Sequence, residues 1–343
     1  MTDCSPYEKE IFDHFFSEED CILIRALDGV EFNEASAQKL TKGLDIDSSD
    51  VLYLLLLGIV GYRSGWEYFP QNMTPRFQGL HRYYQVRNAA ESVYLRKKLD
   101  NFRSEGIPAM LSGAAATRSV FLSDTPRFIS GYDLTVPSCS YEKALAIFEH
   151  GDTAPQDTKA DSVMVKEPLF RLHRGTPDRR LFSETSVWES ALKTKLQDYD
   201  IFVPSLEHTL LFHLCVPYGG WVVGERHTDK VLRITEALNI ISKNARPDVF
   251  AEAAEEAGLR AVARLYFVLL RSVIPETSRA DDFLSYLPED HFYLDYTKQL
   301  AKLCRLFGPG AESLSLRKKV SLHNGRKHIQ KMIEKQKEKT DVR

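Results

Sequence analysis

Apolar residues in the first part of the chain recur at three- and four-residue spacing, the pattern of amphipathic helices. Ile11, Phe12, Phe15 and Phe16 form the first such set. The continuous apolar run Val51–Val60 predicts a further helix, which Asp47 or Ser48 could cap. We therefore expect helices to cover residues 1–65.

After residue 105 the pattern changes to short apolar runs bounded by Gly, Pro or polar residues, which are typical of buried strands. Small residues between the first two runs, Ala114–Phe121, predict a helix packed on the sheet. Residues 151–161 are polar and predict a surface loop. After Trp188 strand signals fade and helices are expected to the end. The predicted strands are Ile107–Leu111, Tyr132–Val136, Val163–Val165 and Leu169–His173.

These elements predict an α+β fold, with a small mixed β-sheet core flanked by N-terminal and C-terminal helical regions. We expect a helical region at 1–80, the α+β core at 81–185, a helical domain at 186–312 and a basic helical tail at 313–343. A length of 343 residues is ample for such a core.

Composition excludes several classes of protein. A net charge of -3 gives no global attraction to nucleic acid or anionic membranes. The five cysteines are scattered and lack C-x-x-C spacing, which argues against a disulfide framework and a zinc site. The polar N-terminus is not a signal peptide, and the longest apolar run is about half the length of a membrane helix. These features predict a cytoplasmic protein with no membrane partner.

The tail from Leu314 is rich in Lys and Arg, with Glu334 and Glu338 interspersed. It could bind an anionic partner, or it could be a solvated terminal helix that docks one apolar side. The second interpretation disfavours a nucleic-acid partner.

Ser112-Gly113 follows the first predicted strand and precedes the predicted helix. Backbone N–H groups at a helix N-terminus form a natural anion site, so this turn could hold a phosphate. It could equally be an ordinary strand-to-helix turn in which Gly supplies an unusual backbone conformation.

The stretch Gly106–Pro137 resembles the bacterial nucleotidyltransferase family of the DNA polymerase β-like superfamily. The matching residues are Gly106-Ile107-Pro108, Ser112-Gly113-Ala114-Ala115, Arg127 and Gly131-Tyr132-Asp133-Leu134-Thr135-Val136. The chain departs from the family pattern at three positions. Ser112 replaces a Lys, Gly131 replaces the first Asp of a D-x-D pair, and Arg171 replaces the third carboxylate.

The resemblance implies transfer of a nucleoside monophosphate from an NTP to a small molecule, peptide or protein. It places Asp133 as the Mg²⁺ ligand and His173 as a base or supporting group. Ser112 and Gly113 would hold the triphosphate, with Arg127 and Arg171 nearby. Because one carboxylate holds Mg²⁺ weakly or not at all, the alternative is a degenerate fold that binds a ligand or partner, or performs a metal-free reaction.

Each charged candidate has an alternative role in the free protein. Arg127 could meet a phosphate, or it could pair with Asp124 or Asp133. Arg171 could hold an anion, or it could form a salt bridge with Asp133 across neighbouring strands. We expect Asp133 and Arg171 to share one face of the sheet close to Gly113; a wide separation would instead make Glu167 the missing carboxylate.

Two histidines on the predicted helix Ser205–Cys215 are five residues apart and do not share a face. His213 is expected to pack in the helix core rather than to bind a metal with His208. By the same resemblance, Glu236 could take the acidic position in one of the family's C-terminal helices. The sequence does not fix the alignment of that helix.

Overall fold

The computed structural model describes residues 4–30, 32–47, 49, 51–113, 115–117, 131–149, 157–159, 162–165, 170–176, 182–196, 199–214, 227–275 and 279–307. The described chain mixes helices with one β-sheet, so the predicted α+β class is confirmed at that level. It divides into two compact units, one spanning residues 45–209 and the other combining the described residues up to 44 with those from 210 onward.

The N-terminal segment is helical, as predicted, and its helices begin at residues suited to capping. Ser5 and Ser17 each form a reciprocal capping box with the acidic residue three positions on. The side chain of Asn33 caps the third helix. The helices are α1 (Pro6–Phe15), α2 (Glu18–Asp28), α3 (Glu34–Thr41), α4 (Val51–Arg63) and α5 (Thr74–Ser104).

The unit that spans residues 45–209 contains the sheet. Its strands are β1 (Met110–Ser112), β2 (Tyr132–Val136), β3 (Asp157–Lys159), β4 (Ser162–Val165), β5 (Phe170–Arg174), β6 (Leu192–Leu196) and β7 (Tyr199–Val203). The helices α6 (Tyr141–Glu149) and α7 (Glu184–Glu189) lie between them in sequence.

The seven strands of the described residues form one mixed sheet in the order β3-β4-β5-β2-β1-β7-β6. At its centre β1 pairs antiparallel with β2, and β2 pairs parallel with β5. Leu111, Leu134 and Leu172 are paired across these three strands and belong to one buried cluster. The cluster also contains Phe102 of α5 and Phe148 of α6, so these helices cover that face.

The other unit is helical in its described residues. α8 (Leu206–Leu214) crosses the division between the units, and it is followed by α9 (His227–Ser242), α10 (Pro247–Glu256), α11 (Arg260–Val273), α12 (Arg279–Tyr286) and α13 (His291–Phe307). Helices α1 and α13 of this unit are joined where the Tyr293 hydroxyl donates to the buried Glu8 carboxylate. Burial, and then this hydrogen bond, raise the pKa of Tyr293 far above its usual range.

Several predictions about elements need correction. Ile107–Leu111 was predicted as a strand, but β1 starts at Met110 because the Ile107 N–H donates to Phe102 O and ends α5. The predicted loop at 151–161 contains β3, which pairs with β4. The region 186–312 is not wholly helical, because β6 and β7 form an antiparallel pair within it.

The bounds of the two compact units differ from the predicted domain limits. The limit after residue 80 lies inside α5, and the limit after residue 185 lies inside α7. The helical tail predicted at 313–343 lies outside the described residues. Within the described part of the chain, no helix is both long and apolar enough to cross a bilayer.

Gly175 follows β5 and has a left-handed backbone, with φ of +76°. A Cβ atom there would lie 2.6 Å from Glu184 Oε2 and 2.8 Å from Ser138 Oγ. The Glu184 carboxylate also accepts from the Ser138 N–H at 2.7 Å, so the region cannot easily shift. We therefore predict that Gly175→Ala lowers the unfolding free energy by about 2 kcal/mol, measured by urea denaturation.

Gly79→Ala is the matched control in the same unit. No atom lies within 4 Å of a Cβ built at Gly79, and this helical residue has no positive φ. Alanine there should raise the unfolding free energy by about 0.5–1 kcal/mol. Equal effects of the two substitutions would contradict the crowding described at Gly175.

Candidate functional site

The strand register brings three of the predicted site residues together. Ser112 is the partner of Asp133 across the antiparallel β1–β2 pair, and Asp133 is the partner of Arg171 across the parallel β2–β5 pair. Side chains of paired residues project to the same face of a sheet. These three positions therefore share the face opposite Leu111, Leu134 and Leu172.

Asp133 and Arg171 form an ion pair. Arg171 Nη2 donates to Asp133 Oδ2 at 2.8 Å, and Arg171 Nε lies 2.8 Å from Oδ1 without the alignment of a hydrogen bond. The Asp133 side chain is 16% exposed and that of Arg171 is 41% exposed. The predicted adjacency of these two residues on neighbouring strands is confirmed.

His173 is the second basic partner of this carboxylate. It lies two residues beyond Arg171 on β5, and its Nε2 is 2.8 Å from Asp133 Oδ1. Because an ionised carboxylate only accepts hydrogen bonds, His173 Nε2 carries the hydrogen and donates it. Both oxygens of Asp133 are thus engaged by basic side chains. The sequence placed His173 near this edge but did not predict this contact.

The turn at Gly113 lies directly against Asp133. Gly113 has a φ of +63°, and a Cβ atom there would lie 3.0 Å from Asp133 Oδ2. Residues 115–117 are helical, and Thr117 Oγ1 donates to Gly113 O at 3.1 Å. Ser112 is buried, and its hydroxyl donates to Asp133 O at 3.3 Å. Glycine at 113 therefore gives both the left-handed backbone and the close approach to the carboxylate.

The donor set does not fit Mg²⁺. Among the described residues there is no group of three or more His, Cys, Asp or Glu side chains placed to hold a metal ion. Asp133 is the carboxylate of the site, and Arg171 and His173 contact its oxygens. Mg²⁺ prefers oxygen ligands in an octahedral arrangement, and a guanidinium at 2.8 Å opposes a second cation.

Two residues considered in the sequence analysis cannot be placed at this site. Arg127, predicted to bind nucleotide, lies outside the described residues, as does Glu167. The site that the structure describes therefore consists of Ser112, Gly113, Asp133, Arg171 and His173.

The two other histidines of interest have separate environments. His208 Nδ1 lies 2.9 Å from Ser205 Oγ and 3.2 Å from Ser190 Oγ. His213 Nδ1 lies 3.3 Å from Glu236 Oε2, and both side chains are buried. The sequence predicted His213 in a helix core but gave no sign of its pairing with Glu236, since the two residues lie on different helices, α8 and α9.

Comparison with known proteins assigns neither a family nor a function to this chain. No protein-family model matches this sequence, and no curated protein shows significant similarity to it. The argument about function therefore depends on the geometry of the site.

The pairing at Asp133 predicts a measurable coupling energy. Asp133→Asn should lower the unfolding free energy by about 1–3 kcal/mol, because Arg171 and His173 lose a charged acceptor in a partly buried site. In a double-mutant cycle with Arg171→Met, measured by urea denaturation, the coupling should be about 1 kcal/mol or more.

The exposed pair Asp47–Arg76 in the same unit provides the control. Its charged atoms are 3.2 Å apart, and both side chains are more than half exposed. The cycle Asp47→Asn with Arg76→Met should give a coupling of about 0.5 kcal/mol or less. A coupling at Asp133–Arg171 no larger than this control would mean that the pair contributes nothing specific to the fold.

Proposed function

We propose that this chain binds the triphosphate of a nucleotide on a nucleotidyltransferase-like α+β core, with Arg171 supplying the positive charge in place of Mg²⁺. The observation that supports the proposal is the position of Arg171, which pairs with Asp133 beside the Gly113 turn and keeps 41% of its side chain exposed. It stands where the resembled family has a metal-binding carboxylate.

The chemistry of Arg171 suits a phosphate. A guanidinium presents donors in a planar fork that matches two phosphoryl oxygens, and it stays charged at every physiological pH. Two of its nitrogens contact Asp133 in the free protein. Because 41% of the Arg171 side chain is exposed, we expect a ligand to reach part of the guanidinium. Asp133 then orients the guanidinium and competes with the ligand for it.

The turn at Gly113 supplies the second part of the proposed site. Gly113 and residues 115–117 are helical, and the N–H groups and dipole of a helix N-terminus favour negative charge. The Asp133 carboxylate already lies against this turn, at the 3.0 Å approach described above. A bound phosphate would accept hydrogen bonds from the N–H groups of this turn, with no metal ion between them.

The same residues disfavour nucleotidyl transfer to an acceptor. In that reaction, divalent ions neutralise the charge that spreads over the phosphate in the transition state. Asp133 alone supplies too little negative charge to recruit two ions, and Arg171 opposes them. We infer that Mg²⁺-dependent transfer by this chain is weak or absent and that ligand binding is its main activity.

The sign of the Asp133→Asn effect distinguishes binding from catalysis. Removing the carboxylate frees Arg171, so we expect ATP or another NTP to bind about 3–10-fold more tightly, as measured by isothermal titration calorimetry. Arg171→Met should weaken binding at least tenfold. EDTA should leave the wild-type affinity unchanged.

Arg76→Met serves as the control, because Arg76 pairs with Asp47 rather than with the site. A second assay incubates labelled NTP and Mg²⁺ with cell extract and each variant. Robust Mg²⁺-dependent labelling that Asp133→Asn abolishes would overturn the proposal in favour of an active nucleotidyltransferase. NTP binding that Arg171→Met does not change would show that the site is not at Asp133–Arg171.

A further inference from the structure

The long helix α5 exposes apolar side chains on the face that the protein does not bury. Its buried residues, Phe77, His81, Tyr84, Asn88, Leu95, Leu99 and Phe102, follow one side of the helix. On the opposite side Tyr83 is 58% exposed, Val86 70% and Val93 64%. Soluble proteins usually expose large apolar residues singly, so a contiguous row on one helix indicates an interaction surface.

The exposed residues have the spacing of a helix-packing seam. Tyr83, Val86, Ala90 and Val93 are separated by three, four and three residues, which is the alternation of the apolar positions in a heptad. We call these four residues the α5 stripe. Ten residue steps at 1.5 Å give it a length of about 15 Å, or roughly three turns of a partner helix.

Two exposed basic residues lie beside the α5 stripe, on a helix with an excess of positive charge. α5 contains seven Lys or Arg residues and two Asp or Glu residues, although the whole chain has a net charge of -3. Arg87 is paired with Glu91, and Arg96 and Arg103 lie over the ring of Tyr199. Arg82 beside the stripe and Lys97 at its end are exposed.

This charge selects among the possible occupants. A second copy of α5 would place two basic helices against each other. The chain's own segment 313–343, which contains ten Lys or Arg and three Asp or Glu residues, would meet the same repulsion. Nucleic acid would be attracted by the charge, but bases stack on aromatic rings, and the exposed Tyr83 and Tyr94 lie at opposite ends of the stripe with aliphatic residues between them.

We propose that the α5 stripe docks an acidic amphipathic helix of a partner protein. The aliphatic row of such a helix would pack on Val86, Ala90 and Val93, as helices recognise apolar surfaces in many complexes. Its flanking carboxylates would meet Arg82 and Lys97, which sets orientation and accelerates association. This surface belongs to α5 and is independent of the nucleotide site proposed above.

The test uses a designed probe and the full chain. A labelled 21-residue helical peptide has Leu at its heptad core positions and Glu at the flanking positions; a second peptide has Lys in place of Glu. By fluorescence anisotropy the acidic peptide should bind with a Kd of about 10 μM, and the basic peptide at least tenfold more weakly. Val86→Lys and Val93→Lys should each weaken binding of the acidic peptide at least tenfold.

Phe292→Lys is the matched control. Phe292 is also about half exposed, but it lies on α13, so its substitution should leave the Kd unchanged. Since Val86 and Val93 are mostly exposed, lysine there should preserve the urea midpoint. The pair Arg82→Glu with Lys97→Glu provides a second test that keeps the stripe intact and should also weaken binding of the acidic peptide.

Three results would overturn the proposal. The first is absence of acidic-peptide binding, or equal binding by wild type and the stripe variants. The second is a wild-type dimer in sedimentation that Val86→Lys converts to a monomer, which would assign the stripe to a second copy. The third is Val86-dependent binding of a 21-nucleotide RNA that exceeds binding of the acidic peptide.

Discussion

The parallel pairing of β2 with β5 is the constraint on which the site depends. It sets Asp133 opposite Arg171 and Thr135 opposite His173, so that one face of the sheet receives Asp133, Arg171 and His173 together. A shift of one residue would exchange these side chains with Leu134 and Leu172, which are fully buried on the other face. The apolar core therefore fixes the register, and the register fixes the ion pair. The chemistry of the site follows from the packing of α5 and α6 against the opposite face.

The sequence predicted the elements whose pattern is local. Tyr132–Val136 is a strand with the predicted bounds, because it alternates strongly and ends at Pro137. β6 was missed because its sequence, LKTKL, has only two apolar residues and so lacks the apolar content of the predicted strands. β6 pairs with β7, and β7 pairs with β1, which lies about 90 residues earlier in the chain. These long-range pairings define both strands, and the local sequence pattern does not show them.

The same distinction applies to the candidate site. The adjacency of Asp133 and Arg171 was predictable because it follows from strand register and the two-residue period of side chains. The contact of His173 with Asp133 Oδ1 and the close approach of Gly113 depend on side-chain rotamers and on the angle of the turn, which no spacing rule specifies. The pairing of His213 with Glu236 likewise depends on how α8 and α9 meet.

An arginine at position 171 and a carboxylate there would attract different ligands. Two or three carboxylates on one face repel one another and are stabilised by a divalent cation, so they recruit the metal and, through it, the phosphates of a nucleotide. Arg171 Nε lies 2.8 Å from Asp133 Oδ1, and the guanidinium neutralises the negative charge of this carboxylate. No bound cation is needed to neutralise it. In the function that we propose, a phosphate would contact the guanidinium and the Gly113 turn directly. Under the proposed function, one charged side chain would replace the metal ion in binding an anion without replacing it in catalysis.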